Sequence, residues 1–140
     1  MVTLPTSGRI GPSINTDTAF FWEGAKQHRL LVQQCTDCMK LRHPPGPACP
    51  FCHSLNWEPT ELSGRGTLFS YTVPVHPKPP GFEEPVPAIV VELEEGVRLI
   101  SNTDVDPGSL RIGEPLEVYF LDQEEDWTVP QFRRPGQAWA

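Results

Sequence analysis

A chain of 140 residues with a formal net charge of −7 suits one domain, or one small domain with a metal-stapled module. Its acidity argues against nucleic-acid binding, which rests on phosphate neutralisation by Lys and Arg. Seventeen prolines argue against a mainly helical protein, and no apolar run reaches membrane-spanning length.

Residues Met1–Thr16 are polar and carry Pro5, Gly8, Gly11 and Pro12, so a flexible arm (residues 1–16) is expected. They lack the charged-then-apolar pattern of a signal peptide, so a cytoplasmic location with reduced cysteines is expected too. Asp17 is a candidate N-cap for a helix over about Thr18 to Arg29. Its block Phe20-Phe21-Trp22 is too wide for a simple amphipathic stripe. The three rings are either core or a wall against a partner or a long apolar ligand. Gly24 lies mid-helix, where it permits close packing or is merely neutral.

Leu30–Gln34 predicts a short strand that runs into Cys35-Thr-Asp-Cys38 and returns over Leu41–His43. Pro44, Pro45 and Pro47 then lead to Cys49-Pro-Phe-Cys52, and Trp57–Leu62 predicts a third strand. The two Cys-x-x-Cys pairs, ten residues apart, use all four cysteines of the chain. Two such knuckles face to face place four thiolates in a tetrahedron. Disulfides and buried thiols are the competing readings, and a reducing compartment argues against the first. Zinc is the expected ion, because it is redox-silent and suits a closed four-sulfur site; iron would make a rubredoxin-like electron carrier. A complete set of Cys35, Cys38, Cys49 and Cys52 leaves no open coordination position, so the metal is expected to be structural. Met39 and His53 stand where knuckles often place a glycine at positive φ; histidine tolerates that region better than methionine, so the first knuckle is expected to be strained or shaped differently.

After Ser63-Gly64 the pattern changes to strands. Thr67–Val75 alternates, with Phe69, Tyr71, Val73 and Val75 read as the core face. A proline-rich loop over His76–Pro87 carries Lys78, Gly81 and Phe82. Ala88–Leu93 and Val97–Asn102 predict a hairpin turning at Glu94-Glu95-Gly96. Asp106-Pro107 opens a single helical turn. Leu116–Leu121 and Trp127–Phe132 complete five strands, and residues 134–140 form a polar tail containing Trp139. Five strands with a helical turn between the third and fourth match the OB-fold barrel, with an open meander as the alternative. The expected fold is therefore mainly β: an N-terminal helix and rubredoxin-like zinc ribbon over residues 17–62, then an OB-fold over residues 63–133.

No catalytic constellation emerges. There is no phosphate loop after a strand, no serine elbow and no spare cysteine. His28, His43, His53 and His76 are scattered and read as surface imidazoles. Such a chain reads as a binding or assembly module.

The order of motifs is distinctive. An aromatic helix with Phe21-Trp22-Glu23-Gly24 precedes Cys-x-x-Cys, Pro44-Pro45 and Cys-Pro-x-Cys. Ser63-Gly64-Arg65-Gly66-Thr67, Phe69-Ser70-Tyr71-Thr72, Leu99–Asn102, Arg111-Ile112-Gly113 and Pro130–Arg133 follow. From about Phe20 to Pro135 this resembles the zinc-ribbon plus OB-fold family associated with acyl-CoA metabolism, long labelled a domain of unknown function. The resemblance implies a non-catalytic subunit of a thiolase-like enzyme, in a hetero-oligomer that cleaves acyl-CoA, including the side chains of steroid CoA esters, with acyltransferases or hydratases as other partners, and a contribution of this chain to assembly and to the acyl-CoA site. The nucleophile or base would lie on the partner. Phe20, Phe21, Trp22, Arg65, His76, Lys78 and Phe82 are the candidate partner-facing or acyl-CoA-facing residues. A single-stranded nucleic-acid-binding OB-fold and a free-standing acyl-CoA carrier are the alternatives.

Overall fold

The computed structural model describes residues 1–136, and the tail segment with Trp139 lies outside the described residues. The elements run α1 (Ala19–Lys26), β1 (Leu31–Cys35), β2 (Leu41–Arg42), β3 (Trp57–Glu61), β4 (Arg65–Thr72), β5 (Ala88–Leu93), β6 (Arg98–Asn102), a 3-10 turn at Pro107–Ser109, β7 (Pro115–Gln123) and β8 (Trp127–Arg133). Two antiparallel sheets result, a ribbon of order β2-β1-β3 and a five-stranded sheet of order β6-β5-β4-β7-β8. Just past β6, Thr103 makes a single parallel bridge to Phe132 of β8, at the other edge of the sheet. The second sheet thus curls toward a barrel without closing its ladder, as partly open OB-folds do.

The helix is shorter than its sequence pattern suggests. Thr18, not Asp17, occupies the N-cap, and its side chain makes no capping bond. Instead Asn15 Oδ1 accepts the N–H groups of Asp17 and Thr18 at 2.9 and 3.1 Å. At the far end His28, at φ 58°, turns the chain into β1. Gly24 makes that turn possible: a Cβ there would lie 2.7 Å from Leu31 Cδ1. It is a close-packing glycine.

One apolar cluster runs through the whole architecture. Phe21 of α1 and Leu30, Val32 and Leu62 of the ribbon pack with Leu68, Ile89, Val91, Leu116 and Phe132 of the second sheet. The ribbon and the sheet therefore share a core, which suits a ribbon too small to bury one alone.

Strand β4 corrects the expected facing. A β-bulge between Leu68 and Ser70 shifts the register against β5. Leu68 points inward and is buried, whereas Phe69 and Tyr71, read as core, are exposed at 43% and 37%. Period-two counting cannot see an inserted residue, so it assigned those rings to the wrong face. The strand also ends at Thr72, leaving Val75 in an exposed loop.

The N-terminal segment, expected as a flexible arm, is packed on the sheet. Leu4 joins a second apolar cluster with Val86 and Tyr119, on the opposite face of β7 from the main core. Val2 N–H donates to Asp104 O at 2.9 Å, and Glu124 N–H donates to Thr6 O at 2.8 Å. Gly8 lies against Gly81 at the tip of the proline-rich loop, where a Cβ on Gly81 would meet the Gly8 and Arg9 backbone at 2.8 Å. Composition flagged this segment as free chain; its few apolar residues are enough to anchor it.

Candidate metal centre and adjoining cavity

The two knuckles are near-copies in backbone geometry. In the first, Met39 N–H donates to Cys35 O at 2.9 Å and Cys35 N–H donates to Lys40 O at 3.0 Å. In the second, His53 N–H donates to Cys49 O at 2.9 Å and Cys49 N–H donates to Ser54 O at 2.8 Å. Met39 and His53 hold φ of 64° and 65°. The first knuckle is strained rather than differently shaped: Met39, like His53, takes the left-handed conformation that closes the turn. The Ser54 hydroxyl donates to Asp37, tying the second knuckle to the first.

These turns bring all four sulfurs within 4.8 Å of one another. Cys35 Sγ lies 3.5 Å from Cys52 Sγ, and Cys38 Sγ lies 3.6 Å from Cys49 Sγ. A tetrahedral zinc with bonds of about 2.3 Å separates its sulfurs by roughly 3.8 Å, whereas a disulfide needs about 2.05 Å. The cage fits zinc and excludes disulfides. The Cys38 N–H directed at Cys35 Sγ, at 3.5 Å, holds the Cys35 thiol down to about 6, so a thiolate is available to a metal near neutrality. The four cysteines form a structural zinc site, closed to substrate.

Beside the ribbon lies a cavity of about 460 Å³, between α1, the Pro44–Pro45 turn and strands β6 and β8. Phe21 and Trp22 from the aromatic block line it; Phe20 instead packs on Trp57 with ring centroids 4.7 Å apart. His43, read as a surface imidazole, also lines it. Burial lowers its pKa to about 4, so the ring is neutral, and its buried Nδ1 has no partner among the described residues. Arg9, at the cavity's edge, donates from Nη1 to Gln131 Oε1 and from Nη2 to Asn102 Oδ1, each at 3.0 Å.

A second cavity, of about 330 Å³, opens on the other side of Arg9 beneath the proline-rich loop. Phe82 lines it, with the Arg9 guanidinium 4.9 Å from its ring centroid. The remaining candidates stand apart. Arg65 is exposed and paired with Glu94 at 2.7 Å, and His76 and Lys78 are exposed on the loop. Sequence reasoning missed Arg9, His43, Asn102 and Gln131. The available signal was polar residues inside the strand-end segments Ser101-Asn102 and Pro130-Gln131; nothing in the Gly/Pro-rich arm singled out Arg9.

A four-thiolate ribbon sharing its core with a curled five-stranded sheet defines a zinc-ribbon plus OB-fold protein. The chain belongs to the DUF35 family of this class: residues 22–58 match the ChsH2 rubredoxin-like zinc ribbon domain and residues 59–121 the ChsH2 C-terminal OB-fold domain. It is 36% identical over 102 residues to a DUF35 domain-containing scaffold protein of Pyrococcus furiosus, covering 70% of this chain and 74% of that protein. It is 45% identical to a probable enoyl-CoA hydratase alpha subunit of Thermomonospora curvata over 92% of this chain. It is 43% identical to the 3-oxo-4,17-pregnadiene-20-carboxyl-CoA hydratase alpha subunit of Mycobacterium tuberculosis over 90% of this chain. The chain spans only 41% and 40% of the length of those two subunits. Among solved structures, a chain of the Ltp2-ChsH2(DUF35) aldolase superposes with a TM-score of 0.84 at 45% identity, covering 89% of this chain and 98% of that one.

Proposed function

We propose that this chain is a non-catalytic, zinc-stapled subunit of a thiolase-fold enzyme complex that cleaves an acyl-CoA by retro-aldol or thiolytic chemistry, with a steroid CoA ester as the candidate substrate. The carrying observation is the likeness to a chain of the Ltp2-ChsH2(DUF35) aldolase over nearly the full length of both. The geometry is in keeping with it. The zinc cage has no open position, and His43, the most perturbed imidazole, is neutral, half-buried and without a carboxylate partner among the described hydrogen bonds. Acid–base or nucleophilic chemistry then falls to the partner, while this chain supplies a composite surface of α1, ribbon and sheet.

The test is reconstitution with a thiolase-like protein encoded beside it. Each protein alone is assayed for acyl-CoA cleavage, then the two together. Activity confined to the co-purified pair is the expected result. Full activity from the neighbour alone overturns the proposal. The similarity to the two hydratase alpha subunits favours a second partner reaction, hydration of an enoyl-CoA, which the same reconstitution reads with an enoyl-CoA substrate.

A further inference from the structure

The cavity beside the ribbon has the size and wall chemistry of a small-molecule site, about 300–1,000 Å³ and mostly apolar with few convergent polar groups. Phe21, Trp22, Leu99 and Val129 offer apolar surface, and Arg9, Asn102 and Gln131 gather at one end. Arg9 stands out there. Two of its five N–H groups reach Gln131 and Asn102, and the other three have no hydrogen-bond partner among the described residues. No carboxylate pairs with it among the described ion pairs. Among the described residues it is the one cation lining either of these two cavities. Glu84, which lines the second, already accepts the Thr3 N–H at 2.7 Å. A partly buried guanidinium without a counter-ion is costly, and an anion that completes its donor set offsets that cost.

We propose that this cavity binds an amphipathic organic monoanion, an apolar body seated against Phe21, Trp22 and Leu99 with one carboxylate-like head received by Arg9. One lining cation matches one negative charge. A polyphosphorylated ligand would demand several, so this site is distinct in chemistry from any surface that holds CoA phosphates. The unpartnered Nδ1 of His43 provides a second polar point for a carbonyl or hydroxyl on the body. The inference does not depend on the subunit reading, since every group belongs to this chain.

The probes are 8-anilinonaphthalene-1-sulfonate and its uncharged analogue N-phenyl-1-naphthylamine, titrated by fluorescence against the zinc-loaded chain. They share an aromatic body and differ in the anionic head. The sulfonate is expected to bind about tenfold more tightly, as a charge-assisted hydrogen bond allows. Arg9→Gln is expected to reduce that preference to within about twofold while leaving the neutral probe's affinity unchanged. Val129→Trp, which fills the cavity from β8, is expected to abolish binding of both probes with zinc content and circular dichroism unchanged. Equal binding of the two probes to the parent chain overturns the proposal. So does a sulfonate preference that survives Arg9→Gln, or full sulfonate binding by Val129→Trp.

Discussion

At Met39 and His53 the backbone holds a left-handed conformation that costs a side-chain-bearing residue about 1–2 kcal/mol relative to its usual regions. The knuckle hydrogen bonds and the four sulfurs sustain it. Met39→Gly relieves the strain without removing a packed side chain, since Met39 is exposed. It should raise the thermal midpoint by the equivalent of about 0.5–1 kcal/mol and leave zinc affinity equal or higher in a chelator competition. Met39→Val, β-branched at the same φ, should weaken both. Equal stability of the two variants would show that the knuckle has another backbone conformation in solution. Gly66 is the opposite case, a glycine required by contact. It sits in β4 opposite Leu93 on one side and Leu116 on the other, and a Cβ would collide with the Glu92 carbonyl of β5. Backbone cannot yield as a side-chain tip can, so Gly66→Ala should cost about 2 kcal/mol or more, read as a lower urea midpoint at unchanged slope. Along the sequence Gly66 stands out only as part of the Ser63-Gly64-Arg65-Gly66-Thr67 motif. The need for Gly66 lies in the neighbouring strand, which no local pattern reveals.

Among elements, the end of α1 is tied to the β7–β8 hairpin by a small polar staple. Asp122 Oδ1 accepts from the Thr128 hydroxyl at 2.7 Å and lies 3.0 Å from His28 Nε2, whose ring stacks on Phe120. The Thr128 hydroxyl, then His28, hold the Asp122 carboxyl below its usual range. A depressed folded-state pKa contributes stability above the unfolded value, about 3.9, and that contribution is lost as pH falls through the folded value. Asp122 is largely exposed, so the contribution is about 0.5 kcal/mol after screening. Asp122→Asn should therefore be slightly less stable than the parent at pH 7, with the gap closing below about pH 4, as followed by thermal melts across pH. At this scale the zinc ribbon and the strands from Ala88 onward were legible, because paired cysteines and period-two apolar runs are local signals. The facing of Phe69 and the docking of residues 1–10 were not. A bulge and a distant sheet surface decide them.

For the whole molecule, the shared core makes the zinc site a determinant of more than the ribbon. Cys35 ends β1, the central strand of the ribbon, and Leu30 and Val32 beside it are buried against the second sheet. Metal binding at such a site is largely folding free energy, because the ribbon alone has too little apolar surface to order two knuckle turns and three short strands. Removing zinc should therefore melt β1–β3 and release α1, which packs on β1 and β8. The Pro44–Pro45 wall of the cavity would go with them, whereas the β4–β8 sheet keeps its own ladders. The expected course on adding excess chelator is stepwise: zinc release, loss of protection from hydrogen exchange over residues 19–62, and slower or partial loss over β4–β8. A complex with a thiolase-like partner should dissociate in the first step, because the composite surface of helix, ribbon and sheet no longer exists. Hydrogen exchange on the zinc-free chain, paired with size-exclusion chromatography of the mixture, checks both parts. Full-affinity assembly by metal-free protein would assign docking to the sheet alone. Uniform loss of protection across all eight strands would instead make zinc the staple of a single cooperative unit.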